Sequence, residues 1–433
     1  MNPFLQTEDT VICHGAQPLT RAQLLRRAVA LAARLPACDR LVNLCESRAN
    51  FLVVLVASML RGQPQLLPGT RTAEALADLA RRFPSQHVLT DASVREAGEA
   101  TDADTGATLA HLAIQPDDLV LTGFTSGSTG ASQPHDKRYG ALLASANCNG
   151  KAIRSALNLA SGQSTALLGT VPVHHMYGVE LTALLPLFGG MSVHDERPIF
   201  PADVAAALAR LPLPRVLVST PLHLRALAES DLDFPEVALM VSASAPLEPA
   251  LAARIEDRLR APVLEMFGAT ETCVIASRRT AAERDWHLYE DVRLTPAENG
   301  TVVSAPWLPR DQLLHDRVEM RGDQQFTLLG RSADLIEVAG KRASLADITR
   351  RISAIPGVAD VAVYQPDAAP GTANRVAALV VSRGVTEKQI LAALSAGLDP
   401  VFLPRPLVFV DAIPRDALGK IPRARLRDAL NSR

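Results

Sequence analysis

The residues that most directly suggest chemistry form a run of hydroxyl residues and glycines at positions 124–130, which read F-T-S-G-S-T-G. Backbone N–H groups and side-chain hydroxyls in such a run can converge on an anion. A short apolar, strand-like run at positions 119–121 precedes it, and phosphates are commonly held where a loop leaves a strand. The run lacks the Gly-Lys-Ser/Thr of a Walker A loop and the GxGxxG pattern. By itself the segment predicts a phosphate-binding loop or a flexible turn.

Further segments along the chain carry polar groups and glycines in a recognisable order. They read P-V-H-H-M-Y-G at 172–178, S-A-S-A-P-L at 242–247, F-G-A-T-E at 267–271, G-R-S-A-D-L-I-E-V-A-G at 330–340 and I-P-R-D-A-L-G-K at 413–420. With the first run, they resemble the core motifs of the adenylate-forming superfamily. That superfamily comprises acyl- and aryl-CoA synthetases, adenylation domains of nonribosomal synthetases and luciferases. The resemblance extends from about residue 119 to the C-terminus.

The resemblance implies an AMP-forming acid–thiol ligase that uses ATP and Mg²⁺. In such an enzyme a carboxylate attacks the α-phosphorus of ATP, which releases pyrophosphate, and a thiol then displaces AMP. Both steps move negative charge, so catalysis rests on positioning and charge neutralisation.

The nucleotide-binding residues follow from the matched motifs. The β- and γ-phosphates are expected at Thr125, Ser126, Gly127, Ser128, Thr129 and Gly130. Further nucleotide contacts are expected from Ser244, Ala245, Pro246, Phe267, Gly268 and Ala269. Thr270 matches the hydroxyl beside the α-phosphate, and Glu271 matches the carboxylate that holds Mg²⁺. Asp316 matches a ribose-binding aspartate, and Arg331 matches a second ribose or phosphate contact.

Two more residues are implied to be catalytic. Lys420 matches the lysine that the small domain places against the α-phosphate and the substrate carboxylate, a role suited to a compact charge on a flexible stem. His175 matches an aromatic ring that lies beside the carboxylate pocket and gates it. The acid pocket is expected to be lined by His175, Met176, Tyr177, Gly178, Val241, Ser242 and Ile275. Because this lining is mostly apolar, we expect an aryl or medium-sized hydrophobic acid.

The sequence departs from the family pattern at two places. Gln133 occupies the position at which relatives usually carry the lysine of the phosphate loop, and Lys137 is a candidate replacement because the chain has only five lysines. At the domain junction Ala333 stands where relatives often carry a hinge Asp or Lys, and the adjacent Asp334 could take that role. A large domain that is short for the superfamily resembles stand-alone ligases that load acids onto carrier proteins.

Apolar periodicity predicts the elements that must position these residues. The N-terminal part alternates helices with short strands, which indicates a parallel sheet covered by helices. The predicted helices lie at 20–35, 51–60, 201–211, 221–228 and 249–259, and the strands at 41–44, 65–67, 165–170, 215–219 and 238–241. After about residue 300 the predicted strands lie at 312–319, 325–329, 335–338, 359–364, 375–381 and 406–410, with helices at 345–355 and 387–396.

This pattern predicts an α/β fold with two domains. A large domain with layered α/β sheets, residues 1–330, would carry the AMP and acid sites. A small mobile α+β lid, residues 331–433, would carry Lys420.

Composition narrows the function classes. The chain has 433 residues, of which 48% are hydrophobic and 21% charged, and its formal net charge is −2, so no global field favours nucleic acid or an anionic membrane. The five cysteines show no CxxC spacing, which disfavours a zinc site or disulfide framework. The N-terminus does not resemble a signal peptide, and no apolar run is long enough to span a bilayer. We therefore expect a cytoplasmic protein.

The acceptor thiol stays open between coenzyme A and the phosphopantetheine of an acyl carrier protein. The absence of an obvious site for the adenine phosphate of coenzyme A slightly favours the carrier protein. An adenylation-only enzyme and a non-catalytic nucleotide- or carboxylate-binding protein of the same fold remain alternatives, the second because of Gln133. Nucleic-acid binding by the arginine-rich C-terminus is disfavoured. The oligomeric state stays open.

Overall fold

The computed structural model describes residues 10–69, 71–110, 112–126, 132–160, 163–331, 335–338, 341–366, 375–395, 398–415, 421 and 423–431. The chain forms two compact units: residues 1–292 and 304–312 form the first, and residues 293–303 and 313–433 form the second. The predicted domain boundary at residues 330 and 331 stays a prediction. Within the described ranges, no helix combines the length and the apolar character needed to cross a bilayer.

The N-terminal part of the first unit alternates strands and helices. Its elements are β1 (Val11–His14), β2 (Leu19–Thr20), α1 (Arg21–Arg34), β3 (Arg40–Asn43), α2 (Arg48–Arg61), β4 (Gln65–Leu67), α3 (Ala73–Arg82), β5 (Gln86–Leu89), α4 (Asp91–Ala97), α5 (Asp102–Ala110), β6 (Leu119–Ser126) and β7 (Ser132–Arg138). Five of the strands form a sheet in the order β5-β3-β4-β6-β7, in which β7 alone runs antiparallel to its neighbour.

The rest of the first unit builds a larger mixed sheet. Its elements are α6 (Tyr139–Ala156), β8 (Ala166–Gly169), α7 (Met176–Val179), a π-helix (Glu180–Leu184), α8 (Leu185–Phe188), β9 (Ser192–His194), α9 (Pro201–Ala209), β10 (Arg215–Ser219), α10 (Pro221–Ala228), β11 (Leu239–Ser242), α11 (Pro249–Leu259), β12 (Val263–Ala269), β13 (Cys273–Arg278) and β14 (Trp286–Leu288). The strands follow the order β14-β13-β12-β11-β10-β8-β9-β1-β2, and those from β12 to β1 are parallel.

Local sequence explains where several of these elements begin and end. Thr20 and Gln23 form a capping box at the start of α1, in which each side chain accepts a hydrogen bond from the backbone N–H of the other. Helix α2 begins after Ser47, whose hydroxyl accepts the Asn50 N–H, and ends at Gly62 in the left-handed conformation. Helices α9, α10 and α11 each begin with proline, which suits the first helical turn.

A buried guanidinium joins the two sheets of the first unit. Arg48, on α2, is 1% exposed, and its Nη2 donates to the carbonyl oxygens of Gly169 and Val171, both at 2.9 Å. Its Nη1 donates to the carbonyl oxygens of Asp195, at 3.2 Å, and Glu196. These carbonyls lie at the ends of β8 and β9, so one side chain satisfies backbone acceptors that would otherwise be buried without donors.

The second unit contains shorter strands. Its elements are β15 (Arg293–Ala297), β16 (Gly300–Ser304), β17 (Gln312–Leu314), β18 (Asp316–Met320), β19 (Gln325–Arg331), β20 (Leu335–Val338), β21 (Lys341–Ser344), α12 (Leu345–Ser353), β22 (Val358–Tyr364), β23 (Ala377–Ser382), α13 (Glu387–Ser395), a 3₁₀ turn (Pro400–Phe402), β24 (Leu407–Phe409) and α14 (Arg423–Asn431). Strands β22, β23 and β24 form a sheet whose apolar face packs on α12 and α13 around Ile348, Val380 and Ile390.

The structure differs from the predicted elements at two places. The predicted strand at 312–319 is interrupted at His315, which separates β17 from β18. Strand β6 continues to Ser126 instead of ending near residue 121, because β7 pairs with it as far as Ser126 and Ser132. The backbone of Thr125 and Ser126 is therefore part of a strand.

Candidate active site

The first part of the site is the end of the β6–β7 hairpin. Thr125 lies opposite Gln133 in the pairing, and its hydroxyl lies 2.9 Å from Nε2 of His135 on β7. Burial lowers the pKa of His135, and the Lys137 charge lowers it further, against the opposing effect of Glu271. The ring is therefore neutral at pH 7. The predicted phosphate contacts Gly127, Ser128, Thr129 and Gly130 lie outside the described residues.

The second part is the tight turn between β12 and β13, which contains Thr270 and Glu271. Gly268 precedes the turn, and a Cβ at Gly268 would lie 2.2 Å from the carbonyl oxygen of Cys273, so only glycine fits there. Cys273 adopts a φ of 62°, a left-handed conformation that is uncommon for residues other than glycine. The Thr272 hydroxyl accepts the Ala269 N–H and donates to the Cys273 carbonyl. The turn is thus closed by its own hydrogen bonds.

The hairpin, the turn and the segment at 172–178 converge at Gly123 of β6. A methyl group at Gly123 would lie 3.2 Å from Sδ of Met176 and 3.3 Å from Cγ2 of Thr270. Close by, Oε1 of Glu271 lies 3.6 Å from Nε2 of His135. Met176 and Thr270, predicted from two distant motifs, therefore meet at Gly123, one residue before the motif at 124–130.

The predicted acid-pocket residues lie on α7, β11 and β13. Met176 and Tyr177 are buried near the start of α7, and the Tyr177 hydroxyl donates to the carbonyl oxygens of Ser219 and Val241, each at 3.1 Å. Burial raises the pKa of Tyr177, so the phenol stays protonated and serves as a donor. Among the described residues the Ser242 hydroxyl has no hydrogen-bond partner although it is buried.

The remaining pocket residues take the following places. His175 is half-buried and precedes α7. A Cβ at Gly178 would lie 1.9 Å from the Pro172 carbonyl oxygen, which explains the glycine of the motif. Ile275 is fully buried on β13.

Positive charge surrounds His174, which the sequence does not assign to the site. Its ring lies 4.7 Å from that of His175. Burial, together with the charges of Arg71, His175 and Arg197, lowers the pKa of His174 to about 2. The ring is therefore neutral throughout the physiological range, and it brings no charge of its own to the positive surroundings.

The other predicted nucleotide contacts lie near the ends of β11 and β12. Ser244 follows β11 with a φ of 78°, and Ala245 and Pro246 come directly after it. Phe267, Gly268 and Ala269 are the last residues of β12, and the Phe267 ring lies 5.4 Å from that of Trp286. Because β11 and β12 are adjacent and parallel, both groups lie at the same edge of the sheet.

Some predicted residues belong to the second unit. Asp316 and Arg331 are direct partners in the antiparallel pairing of β18 and β19. The Asp316 carbonyl oxygen accepts the Thr301 hydroxyl at 2.7 Å. Lys420, Ala333 and Asp334 lie outside the described residues.

Lys137 lies on β7 and is only 3% exposed. Its Nζ donates to the main-chain carbonyl oxygen of Glu271 at 2.8 Å. Near it lies Glu180, a buried carboxylate that accepts hydrogen bonds from Ser145 and from the Val274 N–H. Sequence reasoning did not select Glu180. The signal for it was that Glu180 is the one charged residue in the stretch 176–188.

The donor set fits the mode in which proteins commonly hold Mg²⁺. In the part of the chain that the structure describes, no group of three or more His, Cys, Asp or Glu side chains could hold a metal ion. Mg²⁺ usually takes one or two carboxylates together with substrate phosphates. The Glu271 side chain is 30% exposed, so it can reach such an ion.

Comparisons with known proteins identify the family. The sequence model of the AMP-binding enzyme family matches residues 5–297, and that of the AMP-binding enzyme C-terminal domain matches residues 350–420. The chain is 30% identical to a 4-coumarate–CoA ligase of Halorhodospira halophila, over 70% of this chain and 74% of the relative. It is 26% identical to a feruloyl-CoA synthase of an Amycolatopsis species, over 96% and 95%. The structure matches ATP-bound MatB from Rhodopseudomonas palustris with a TM-score of 0.81 at 22% identity, covering 100% and 99%.

The chain therefore belongs to the AMP-binding enzyme family. The predicted superfamily and the α/β fold class are confirmed. The prediction of an ATP-dependent, AMP-forming enzyme that activates a carboxylic acid for transfer to a thiol is confirmed as well. The roles of the individual site residues stay predictions.

Proposed function

We propose that the protein converts an aryl or arylacrylic acid to its coenzyme A thioester through an acyl-adenylate. The approach of Met176 and Thr270 to Gly123 supports the proposal, because we assign Met176 to the acid pocket and Thr270 to the α-phosphate. Relatives named 4-coumarate–CoA ligase, feruloyl-CoA synthase and 4-chlorobenzoate–CoA ligase support an aryl acid and coenzyme A. A carrier-protein thiol is the alternative acceptor.

The chemistry divides into two displacements. In the first, a carboxylate oxygen bonds to the α-phosphorus of ATP and the bond to the bridging oxygen of pyrophosphate breaks. In the second, a thiolate sulfur bonds to the acyl carbon, and AMP leaves with the carboxylate oxygen that had attacked. We assign Thr270 to the α-phosphate in the first step, and we assign Lys420 to the charge that develops there. Asp316 and Arg331 keep their assignment to the ribose.

Mg²⁺ would neutralise phosphate charge during adenylation, and Glu271 is the residue that we assign to hold it. His135 is neutral, so it adds no competing cation beside that carboxylate, whose Oε1 lies 3.6 Å from its Nε2. The Thr125 hydroxyl is close enough to His135 to fix the ring in turn. These three side chains form a chain of contacts from the hairpin to the proposed metal ligand.

We assign the floor of the acid pocket to the ring of Tyr177. Because the Tyr177 hydroxyl is used in two hydrogen bonds to carbonyl oxygens, its ring is held in place and can offer a flat apolar surface. The buried Ser242 hydroxyl is available to a polar substituent of the acid. A ring with one hydroxyl would therefore suit the pocket better than an unsubstituted alkyl chain.

The proposal is tested by ATP–pyrophosphate exchange with a panel of acids that contains hydroxycinnamates, benzoates, malonate and C4 to C16 fatty acids. We expect exchange with the aryl acids, and thioester formation when coenzyme A is added. Exchange confined to fatty acids or malonate would contradict the substrate class. Thioester formation with a phosphopantetheinylated carrier protein alone would contradict the acceptor, and exchange with no thioester at all would indicate an adenylation-only enzyme.

Two controls accompany the panel. Lys151→Met changes an exposed lysine that pairs with Glu290 on the surface, so its exchange rate should equal that of the unchanged protein. Calorimetric titration with ATP separates failure to bind the nucleotide from failure to react. Binding of ATP without exchange across the whole panel would favour the non-catalytic alternative, with Gln133 as its first explanation.

A further inference from the structure

The turn that carries Thr270 and Glu271 is held at three backbone sites, on residues 271, 272 and 274, by side chains from distant parts of the chain. Nζ of Lys137 donates to the Glu271 carbonyl oxygen at 2.8 Å. Nε1 of Trp307 donates to the Thr272 carbonyl oxygen at 3.2 Å. Oε2 of Glu180 accepts the Val274 N–H at 3.0 Å. The anchors therefore lie on both sides of Cys273, the residue with the left-handed backbone.

Glu180 is itself rigidly held. It is 2% exposed and begins the π-helix, and its Oε2 accepts the Ser145 hydroxyl at 2.6 Å and Nδ2 of Asn149 at 3.4 Å. The Asn149 amide oxygen accepts the Tyr289 hydroxyl at 2.9 Å, which fixes the amide in turn. Such a network leaves the carboxylate no freedom to follow a displaced turn.

Lys137 and Glu180 are both buried, and the Lys137 charge acts on the Glu180 carboxyl group. Burial raises the pKa of Glu180, whereas the Ser145 hydrogen bond, the Val274 N–H and the Lys137 charge lower it. The ammonium of Lys137 also lowers the pKa of the Cys273 thiol, although burial prevails and raises it to about 12. Cys273 is thus a neutral thiol, and the backbone sites that Lys137 and Glu180 hold lie on either side of it in the chain.

This arrangement commits Lys137 to the turn. Its side chain is almost fully buried, and its nitrogen already contacts a carbonyl of the residue assigned to hold Mg²⁺. A lysine that neutralised a phosphate directly would instead have to present its ammonium to the nucleotide. Backbone strain such as that at Cys273 persists only where the surroundings over-determine it, and the hydrogen bonds from Lys137 and to Glu180 do so here.

We propose that Lys137 and Glu180 are positioning residues that together fix the backbone of the Thr270–Glu271 turn, and that Lys137 acts on this turn rather than on a phosphate of ATP. The expected effect on the reaction rate rests on the proposed function. The position of the turn does not, because it can be measured in the ligand-free protein without any reaction.

Trp307 provides that measurement because its indole nitrogen bonds to the turn. The chain has two tryptophans, so protein labelled with 5-fluorotryptophan gives two ¹⁹F resonances, and Trp307→Phe identifies the one from Trp307. In the ligand-free protein, Lys137→Met should shift or broaden the Trp307 resonance and leave that of Trp286 unchanged. Lys137→Arg should restore part of the shift, and Lys151→Met should change neither resonance. An unmoved Trp307 resonance in Lys137→Met would overturn the proposal.

Kinetics then separate the two roles of Lys137. A positioning role predicts that Lys137→Met lowers kcat for ATP–pyrophosphate exchange at least tenfold and changes the KM for ATP less than threefold. A phosphate-binding role predicts that the KM for ATP rises at least tenfold while the ligand-free ¹⁹F spectrum stays the same, and that result would overturn the proposal. If the unchanged protein shows no exchange, the proposed function fails, and the ¹⁹F result still decides the positioning role.

Removal of one buried charge can prevent folding, so a second variant keeps the test decisive. Glu180→Gln retains an oxygen that can accept the Val274 N–H and removes the ionisable carboxyl group. If the two residues act as one unit, the double variant Lys137→Met/Glu180→Gln should lose no more than about threefold in kcat beyond Lys137→Met alone. If the fold-loss in kcat of the double variant equals the product of the two single-variant losses, the residues act independently, and the proposal that they act as one unit is contradicted.

Discussion

Gly123→Ala tests the point at which the site converges. The added methyl group would lie 3.2 Å from Sδ of Met176 and 3.3 Å from Cγ2 of Thr270, about 0.3 to 0.5 Å closer than a comfortable contact. Met176 is flexible, but Thr270 is β-branched and sits in a closed turn. We therefore expect part of the strain to displace Thr270 and Glu271.

The magnitude follows from these distances. Overpacking costs about 1 to 3 kcal/mol, and the lower backbone entropy of alanine in the unfolded chain offsets about 0.5 to 1 kcal/mol. A net loss of about 1 to 2 kcal/mol should leave the protein folded. Because a displacement of about 1 Å can cost about a hundredfold in rate, a displacement of half that size should lower kcat about tenfold.

ATP–pyrophosphate exchange and thermal unfolding of the same samples provide the assay, with two matched glycine variants. Gly106→Ala lies on the exposed face of α5 with nothing near the new methyl group, so it should stabilise the helix by about 0.5 to 1 kcal/mol at an unchanged rate. Gly178→Ala would place its methyl group 1.9 Å from a carbonyl oxygen and should prevent folding. Equal exchange rates for Gly123→Ala and Gly106→Ala would refute the reasoning.

Three further changes test other parts of the site. Glu271→Gln removes a charge at constant size and should raise the Mg²⁺ concentration for half-maximal exchange about tenfold; an unaltered Mg²⁺ response would place the metal elsewhere. Lys420→Ala should reduce exchange at least about a hundredfold yet spare thioester formation from pre-made acyl-adenylate, whereas equal loss of both would show that its role is misassigned. In the folded protein, burial and neighbouring cations lower the pKa of His174 to about 2. Below about pH 6.5 the unfolded chain therefore takes up a proton that the folded protein does not, and the free energy of unfolding falls as the pH drops. Between pH 7 and 5 the unchanged protein should lose about 2 kcal/mol more unfolding free energy than His174→Asn, and parallel losses would contradict the shifted pKa.

The sequence predicted regular elements well where local signals coincide. Strand β10 and helices α10 and α11 have the predicted bounds, because each helix begins with a proline and carries an apolar face. The continuation of β6 through Thr125 could not be predicted in this way. Gly, Thr and Ser at its end indicate a turn, and only pairing with β7 extends the strand.

The candidate site was likewise predictable only where local sequence signals identify a residue. Motifs with fixed spacing indicated Met176 and Thr270, but their meeting at Gly123 depends on how the sheets pack. Glu180 was missed because a buried carboxylate is recognisable only from its partners, and Ser145 and Val274 are 35 and 94 positions away. Lys137 was noticed because lysine is rare in this chain. Its contact with Glu271 could not be predicted, because the two residues are 134 positions apart in the sequence.

The guanidinium of Arg48 bears on how the first unit denatures. It belongs to α2, which follows a strand of the five-stranded sheet, while its acceptors Gly169 and Val171 end a strand of the larger sheet. Neither sheet can lose its structure without leaving either a buried cation or several carbonyl oxygens unsatisfied. We therefore expect the guanidinium to couple the melting of the two sheets, so that thermal unfolding of Arg48→Met should separate into two transitions.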